Sequence, residues 1–171
     1  VQCPFATGSF DALVEGLADA GLKTLFDLNA ILGRNCSQRA GPDRGAAAST
    51  PGQYCGDTPA AWDTAPVRLL LEHARAKDLA KHLVGFELGN ELFVPKHLPR
   101  ATAIADMATL TAMVAEVWPD PSGRPEVYAD GTNDCGSNGD GDADLMAGVM
   151  ADGAAGFSMQ SCKQRVGGWW V

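Results

Sequence analysis

Basic residues are scarce in this sequence: 13 Lys and Arg stand against 21 Asp and Glu, giving a net charge of −8 and a pI of about 4.7. No basic stripe runs along any segment. Nucleic acid is therefore excluded as the main partner, because phosphate backbones are gripped by clustered Lys and Arg. No apolar run approaches the roughly 18 residues that a membrane-spanning helix needs, so no transmembrane segment is expected. None of the five cysteines (Cys3, Cys36, Cys55, Cys135 and Cys162) forms a CxxC pair. The three histidines, His73, His82 and His97, lack ligand spacing and read as surface residues. No metal site and no cofactor are expected. The first residue is Val1, with no initiator Met and no Lys/Arg-led leader, and the chain reads as processed, trimmed or a fragment.

What is present is a globular composition, 46% hydrophobic and 20% charged over 171 residues, fitting a single domain over 1–171 with a sizeable core. Phe10, Leu13, Val14, Leu17 and Ala18 recur at helical spacing, with Ser9 as N-cap and Gly21 as the stop. Thr24–Asn29 is a short apolar run of strand length. Residues 33–63 form a long loop rich in Gly, Ala, Pro, Ser and Thr, of the kind that is functional or disordered. A second helix starts near Pro66 and buries Val67, Leu70, Leu71 and Ala74. Val84–Gly89 reads as a strand, and Ile104 through Val117 as a helix ended by Pro119. Glu126–Ala129 is a further strand, Leu145–Met150 a further helix, and Ala155–Met159 a last strand. Helix and strand alternate, which means parallel strands joined by helical crossovers, in a doubly wound sheet or a (β/α)8 barrel.

Functional side chains in such folds gather at the C-terminal ends of strands. Asn90 and Glu91 follow the strand ending at Gly89 directly, and Asn29 and Asp130 end its neighbours. Glycoside hydrolysis needs two carboxyl groups across the scissile bond, one of them holding a proton near neutral pH. A strand-end Glu beside an Asn that can hold a sugar hydroxyl suits that work. Glu87 reads as structural, paired with an arginine. Asn29 reads equally as a substrate-pocket residue or a buried turn residue, and Asp130 as a turn or cap residue. The Asp/Asn/Gly-rich run 130–144 has an EF-hand flavour, but counting from Asp140 the required Gly and Glu are Leu145 and Ala151, so it reads as a solvated loop. Trp169-Trp170 suits a sugar-stacking platform or a piece of core equally. Cys36 and Cys55 bracket one loop and are the best disulfide candidates; Asn35-Cys36-Ser37 is a glycosylation sequon, which points to a secreted glycoprotein with Asn35 as the acceptor.

Gly85-Phe86-Glu87-Leu88-Gly89-Asn90-Glu91 resembles the fourth-strand motif of the heparanase family, glycoside hydrolase family 79 of clan A. Ala20–Leu32, with Phe26-Asp27-Leu28-Asn29-Ala30, is similar to that family's third-strand segment. Trp62–Leu71 is similar to the helix between them, and Val127–Gly131 to the fifth strand. The resemblance covers residues 10 to 131 in matching order. It implies a partial (β/α)8 TIM barrel, about strands three to six with their helices, as an incomplete catalytic domain. It implies retaining hydrolysis of uronic-acid-containing glycans, a heparanase-like endo-β-glucuronidase acting on polysaccharide or proteoglycan chains. Glu91 would be the general acid/base, with Asn90 and Asn29 binding substrate. The family's nucleophile, a Glu on a later strand, has no match in this chain, so the rest of the barrel is required and the piece alone is expected not to turn over. The resemblance further implies a secreted, extracellular or lysosomal setting, and is compatible with peripheral membrane association. Leu92 stands where the family has Pro, and Phe157–Cys162 lacks the His and Tyr that end the family's sixth strand. These departures keep two alternatives open: another clan-A retaining glycosidase, and a non-catalytic heparanase-like glycan-binding protein.

Overall fold

The structure, a computed structural model, describes residues 7–30, 61–89, 100–131, 150–151, 154–159, 165–166 and 169–170. Helix α1 (Thr7–Asp19) leads into β1 (Thr24–Leu28), α2 (Ala65–Ala76) into β2 (Leu83–Leu88), and α3 (Arg100–Val117) into β3 (Glu126–Gly131). Strand β4 (Gly156–Met159) follows, and β5 (Arg165–Val166) and β6 (Trp169–Trp170) form a separate antiparallel pair. Strands β1 to β4 make one sheet in sequential order, and every pairing in it is parallel.

Local chemistry explains the element ends. The α1 helix begins at Thr7, so Ser9 lies inside its first turn rather than at its cap. It stops where sequence periodicity placed the stop. Gly21, at φ +77°, donates to the Ala18 carbonyl while Leu22 N–H reaches back to Leu17, a Schellman closure that needs a left-handed residue. At the start of α2, Pro66 occupies the first turn and Asp63 Oδ1 accepts the Ala65 N–H at 3.1 Å. Between α3 and β3, the Arg124 guanidinium donates to the carbonyls of Trp118 and Pro119 at 2.7 and 3.0 Å, clamping the turn.

Register divides the sheet into two unlike faces. On one face Phe26, Phe86 and Val127 lie in a row, with Leu28, Leu88 and Ala129 in the next. Both rows join a single core with Phe10 and Val14 of α1, Val67, Leu71 and Ala74 of α2, and Met107, Leu110, Val114 and Val117 of α3. Phe10 meets Phe26 edge to face, with ring centroids 4.9 Å apart, and Phe86 lies 6.2 Å from Trp118. Helix α1 packs on α2 and α2 on α3, so the three helices line up over this one face. His73 is no free surface residue: its Nε2 lies 2.6 Å from Asp11 Oδ1 and ties α2 to α1.

The other face carries Leu25, Gly85 and Glu126 in one row and Asp27, Glu87 and Tyr128 in the next. Leu25 and Asp27 are exposed there. Among the described residues no helix is long and apolar enough to cross a membrane.

At Gly85 the β2 and β3 backbones approach closely. A Cβ there would fall 2.8 Å from the Glu126 carbonyl carbon and 3.0 Å from the Tyr128 ring, and the backbone contact cannot swing aside. Gly85→Ala is expected to destabilise the chain by about 1–3 kcal/mol, the usual cost of overpacking. Gly123→Ala, with nothing within 4 Å of its Cβ, is the control and should leave stability almost unchanged. Urea denaturation of both variants checks this, and equal midpoints would contradict it.

Candidate functional site

Each of the first three strands carries an acid at its penultimate position: Asp27 in β1, Glu87 in β2 and Asp130 in β3. None of the four parallel strands contains a Lys, Arg or His. Lys23, His82 and Arg124 precede β1, β2 and β3, at the opposite end of the sheet. Among the described residues the C-terminal ends of the strands are thus acidic, and this is the edge where parallel α/β folds gather their functional groups.

Asp27 and Glu87 are register partners on the helix-free face. Neighbouring strands lie ~4.8 Å apart, so register partners stand side by side, and like charges there oppose each other. Asp27 is exposed as a residue, yet its carboxyl is partly desolvated by the groups around it. That desolvation, with the charge of Glu87, pushes its pKa up from 3.8 to about 6, while the Gly89 N–H pulls it partway back. Tyr128 completes the row. Its ring lies against Gly85 and its hydroxyl donates to Glu126 Oε2 in the row below. That hydrogen bond, then slight burial, then the charge of Glu126 raise the Tyr128 phenol above 10.0.

Of the site residues expected from sequence, Asn29 lies just past the end of β1, is exposed, and has a partner. The Gly89 N–H donates to the Leu28 carbonyl at 2.8 Å, so the ends of β1 and β2 remain side by side up to Asn29 and Gly89. Gly89 itself is buried at φ +80°, a conformation that L side chains rarely adopt. Asn90 and Glu91, the disulfide candidates Cys36 and Cys55, and the sequon Asn35 lie outside the described residues, as do most of the long loop 33–63 and nearly all of the 130–144 run. Among the described residues no group of acids, His and Cys could hold a metal ion.

One sequence reading changes. Asp130 is a strand residue paired opposite Ser158, not a turn or cap. Glu87, read as structural, is the register partner of Asp27. The signal was present, because residues 87 and 89 share a face by the period of two, and the strand-penultimate acid recurs in three strands.

The Tyr128–Glu126 bond gives a direct check. Glu126→Gln removes the charge that opposes phenolate formation, so the Tyr128 pKa should fall toward 10. An NMR titration of the assigned tyrosine ring reads this out, and an unmoved titration would rule the contact out.

Comparison with protein-family models, curated proteins and solved structures finds no match to this chain.

Proposed function

We propose that this chain is part of a retaining glycoside hydrolase of the heparanase type, with Glu91 as general acid/base, Asn90 and Asn29 on the substrate, and the nucleophile on a part of the barrel not contained here. The observation that carries the reading is where the motif falls. Gly85-Phe86-Glu87-Leu88 ends β2, the second of four parallel strands in sequential order, and Gly89-Asn90-Glu91 runs on from its C-terminal end. The sheet order supports a barrel sector over a doubly wound sheet. A doubly wound sheet reverses its strand order and places helices on both faces, whereas the strands here keep their sequence order under helices on one face. In a closed barrel the Asp27–Glu87–Tyr128 row would line the mouth, one layer below the strand ends.

The proposed substrate is a uronic-acid-containing polysaccharide or proteoglycan glycan, met in a secreted, extracellular or lysosomal setting. In a retaining mechanism the acid/base first protonates the leaving oxygen and then activates water against the glycosyl intermediate. Glu91→Gln, made in the protein carrying the complete barrel, removes that proton donor. Turnover of substrates with poor leaving groups should fall by ~10²–10⁴. Substrates with good leaving groups, which need no protonation, should lose far less in glycosylation. Unchanged turnover of a natural glycan would overturn the assignment of Glu91. A panel of aryl glucuronide, arabinofuranoside, xyloside and glucoside tests the substrate class separately.

A further inference from the structure

We infer that Gly89 is a positioning residue of the proposed site: its left-handed backbone ends the pleat of β2 and frees the adjacent Asn90 and Glu91 to meet one substrate together. The inference rests on the reading of Glu91 as acid/base and adds to it a residue that touches neither the substrate nor the reacting atoms.

The need for such a residue follows from strand geometry. Neighbouring residues of a strand point to opposite faces. In β2, Phe86 and Leu88 enter the core beneath the helices, and Glu87 lies on the other face. Were the pleat to run on to residue 91, Asn90 would follow Phe86 and Leu88 toward the helices, and Glu91 would follow Glu87. A sugar bound at the strand ends would then meet Glu91 without Asn90. Serving one substrate from both requires the alternation to break between Leu88 and Asn90.

Gly89 is where it breaks. Parallel strands hold φ at about −120°, whereas Gly89 stands at φ +80°. The other two positive-φ residues among those described, Gly21 and Asp78, lie in the turns leading into β1 and β2, at the opposite end of the sheet. The break is also anchored. Leu88 is fully buried in register with Leu28, and the Gly89 N–H donates to the Leu28 carbonyl at 2.8 Å. Gly89 itself is buried. The chain therefore leaves the sheet from a fixed point with a fixed dihedral. Such placement matters, because a shift of about 1 Å at a reacting group costs on the order of 10²-fold in rate. Most L residues at 89 would return to negative φ and send the following residues in another direction.

Gly89→Ala and Gly89→Asn test this, made beside Glu91→Gln in the protein carrying the complete barrel. The readout is kcat/KM, which reports glycosylation, on glycosides with poor and good leaving groups. Gly89→Ala should lose about 10²-fold on the poor leaving group and far less on the good one, the same selectivity as Glu91→Gln. Asparagine adopts positive φ more readily than alanine, so Gly89→Asn should recover part of that loss although its side chain is larger. A residue that mattered only for packing would give the reverse order, and would lower the melting temperature without changing the ratio between the two substrates. An unchanged ratio in folded Gly89→Ala, or Gly89→Asn falling below Gly89→Ala, overturns the proposal. Failure of the two readings is distinguishable. Selectivity in Glu91→Gln without selectivity in Gly89→Ala sinks the positioning role alone, whereas no loss in Glu91→Gln removes the acid/base reading and this inference with it. Should neither Gly89 variant fold, the three-bond amide–Hα couplings of Gly89 in the unsubstituted protein decide: a negative φ overturns the proposal and a positive φ upholds it.

Discussion

The handedness and direction of the crossovers constrain everything else in this molecule. A parallel strand must be followed by a return path across one face, and a right-handed crossover places that path on a fixed side. The two crossovers whose helices are described, α2 and α3, accordingly place them on one face, which α1 also covers. The core then assembles itself: Phe26, Phe86 and Val127 must be apolar because they meet helices, and their neighbours one residue along need not be. The same constraint leaves a second face that none of the described helices claims, where Asp27, Glu87, Glu126 and Tyr128 stand. All-parallel sheets ordinarily shield both faces. A sheet wound in one direction shields the second only by curving round on itself, which is the physical link between the observed topology and the proposed barrel.

Helices and strands were legible because their signals are local. The spacing of Val67, Leu71 and Ala74, the Pro at the start of α2, and Gly21 beyond α1 each report on a few neighbouring residues, and the helices and first three strands lie within a few residues of where those signals put them. Longer-range facts were less visible. That Asp27 and Glu87 are neighbours depends on the register of two strands separated by a long insertion and a helix, which no local pattern encodes. His73 reads as a surface residue on its own helix, and only the packing of α2 on α1 brings Asp11 within 2.6 Å. The β5–β6 pair was missed for the opposite reason: two-residue strands carry too little pattern to read. For the candidate site, the motif placed Asn90 and Glu91 at a strand end, while the acid row beneath that end emerged only once register was known.

The acid row is also less paradoxical than its charge suggests. In βα units the chain leaves each strand and soon starts the next helix, so helix N-termini lie on the same side of the layer as strand C-termini. Those N-termini carry partial positive charge, and the C-termini partial negative charge. The sequence follows that polarity at both ends. Acids occupy the penultimate positions of β1, β2 and β3, while His73 and Arg75 close α2 and Lys81 and His82 close the 3-10 turn at Leu79–His82. Favourable interaction with a helix end falls off within about one turn, and the charge of Glu87 still raises the Asp27 pKa.

That residual repulsion bears on the kind of ligand the edge could accept. A uronate or sulfate placed directly over Asp27 and Glu87 would meet a like charge, and the penalty would be greatest above pH ~6, where Asp27 is ionised. Neutral hydroxyls face no such penalty, since ionised carboxyls accept their hydrogen bonds and a protonated one can donate in turn. If the edge does bind an anionic glycan, the glycan's charged groups must therefore point away from the β1–β2 seam, leaving its hydroxyl face toward the acids. An acidic medium would weaken the repulsion further by protonating Asp27. The raised Asp27 pKa has desolvation as its first cause and the charge of Glu87 as its second, at the C-terminal edge of a parallel sheet with no base among its strands.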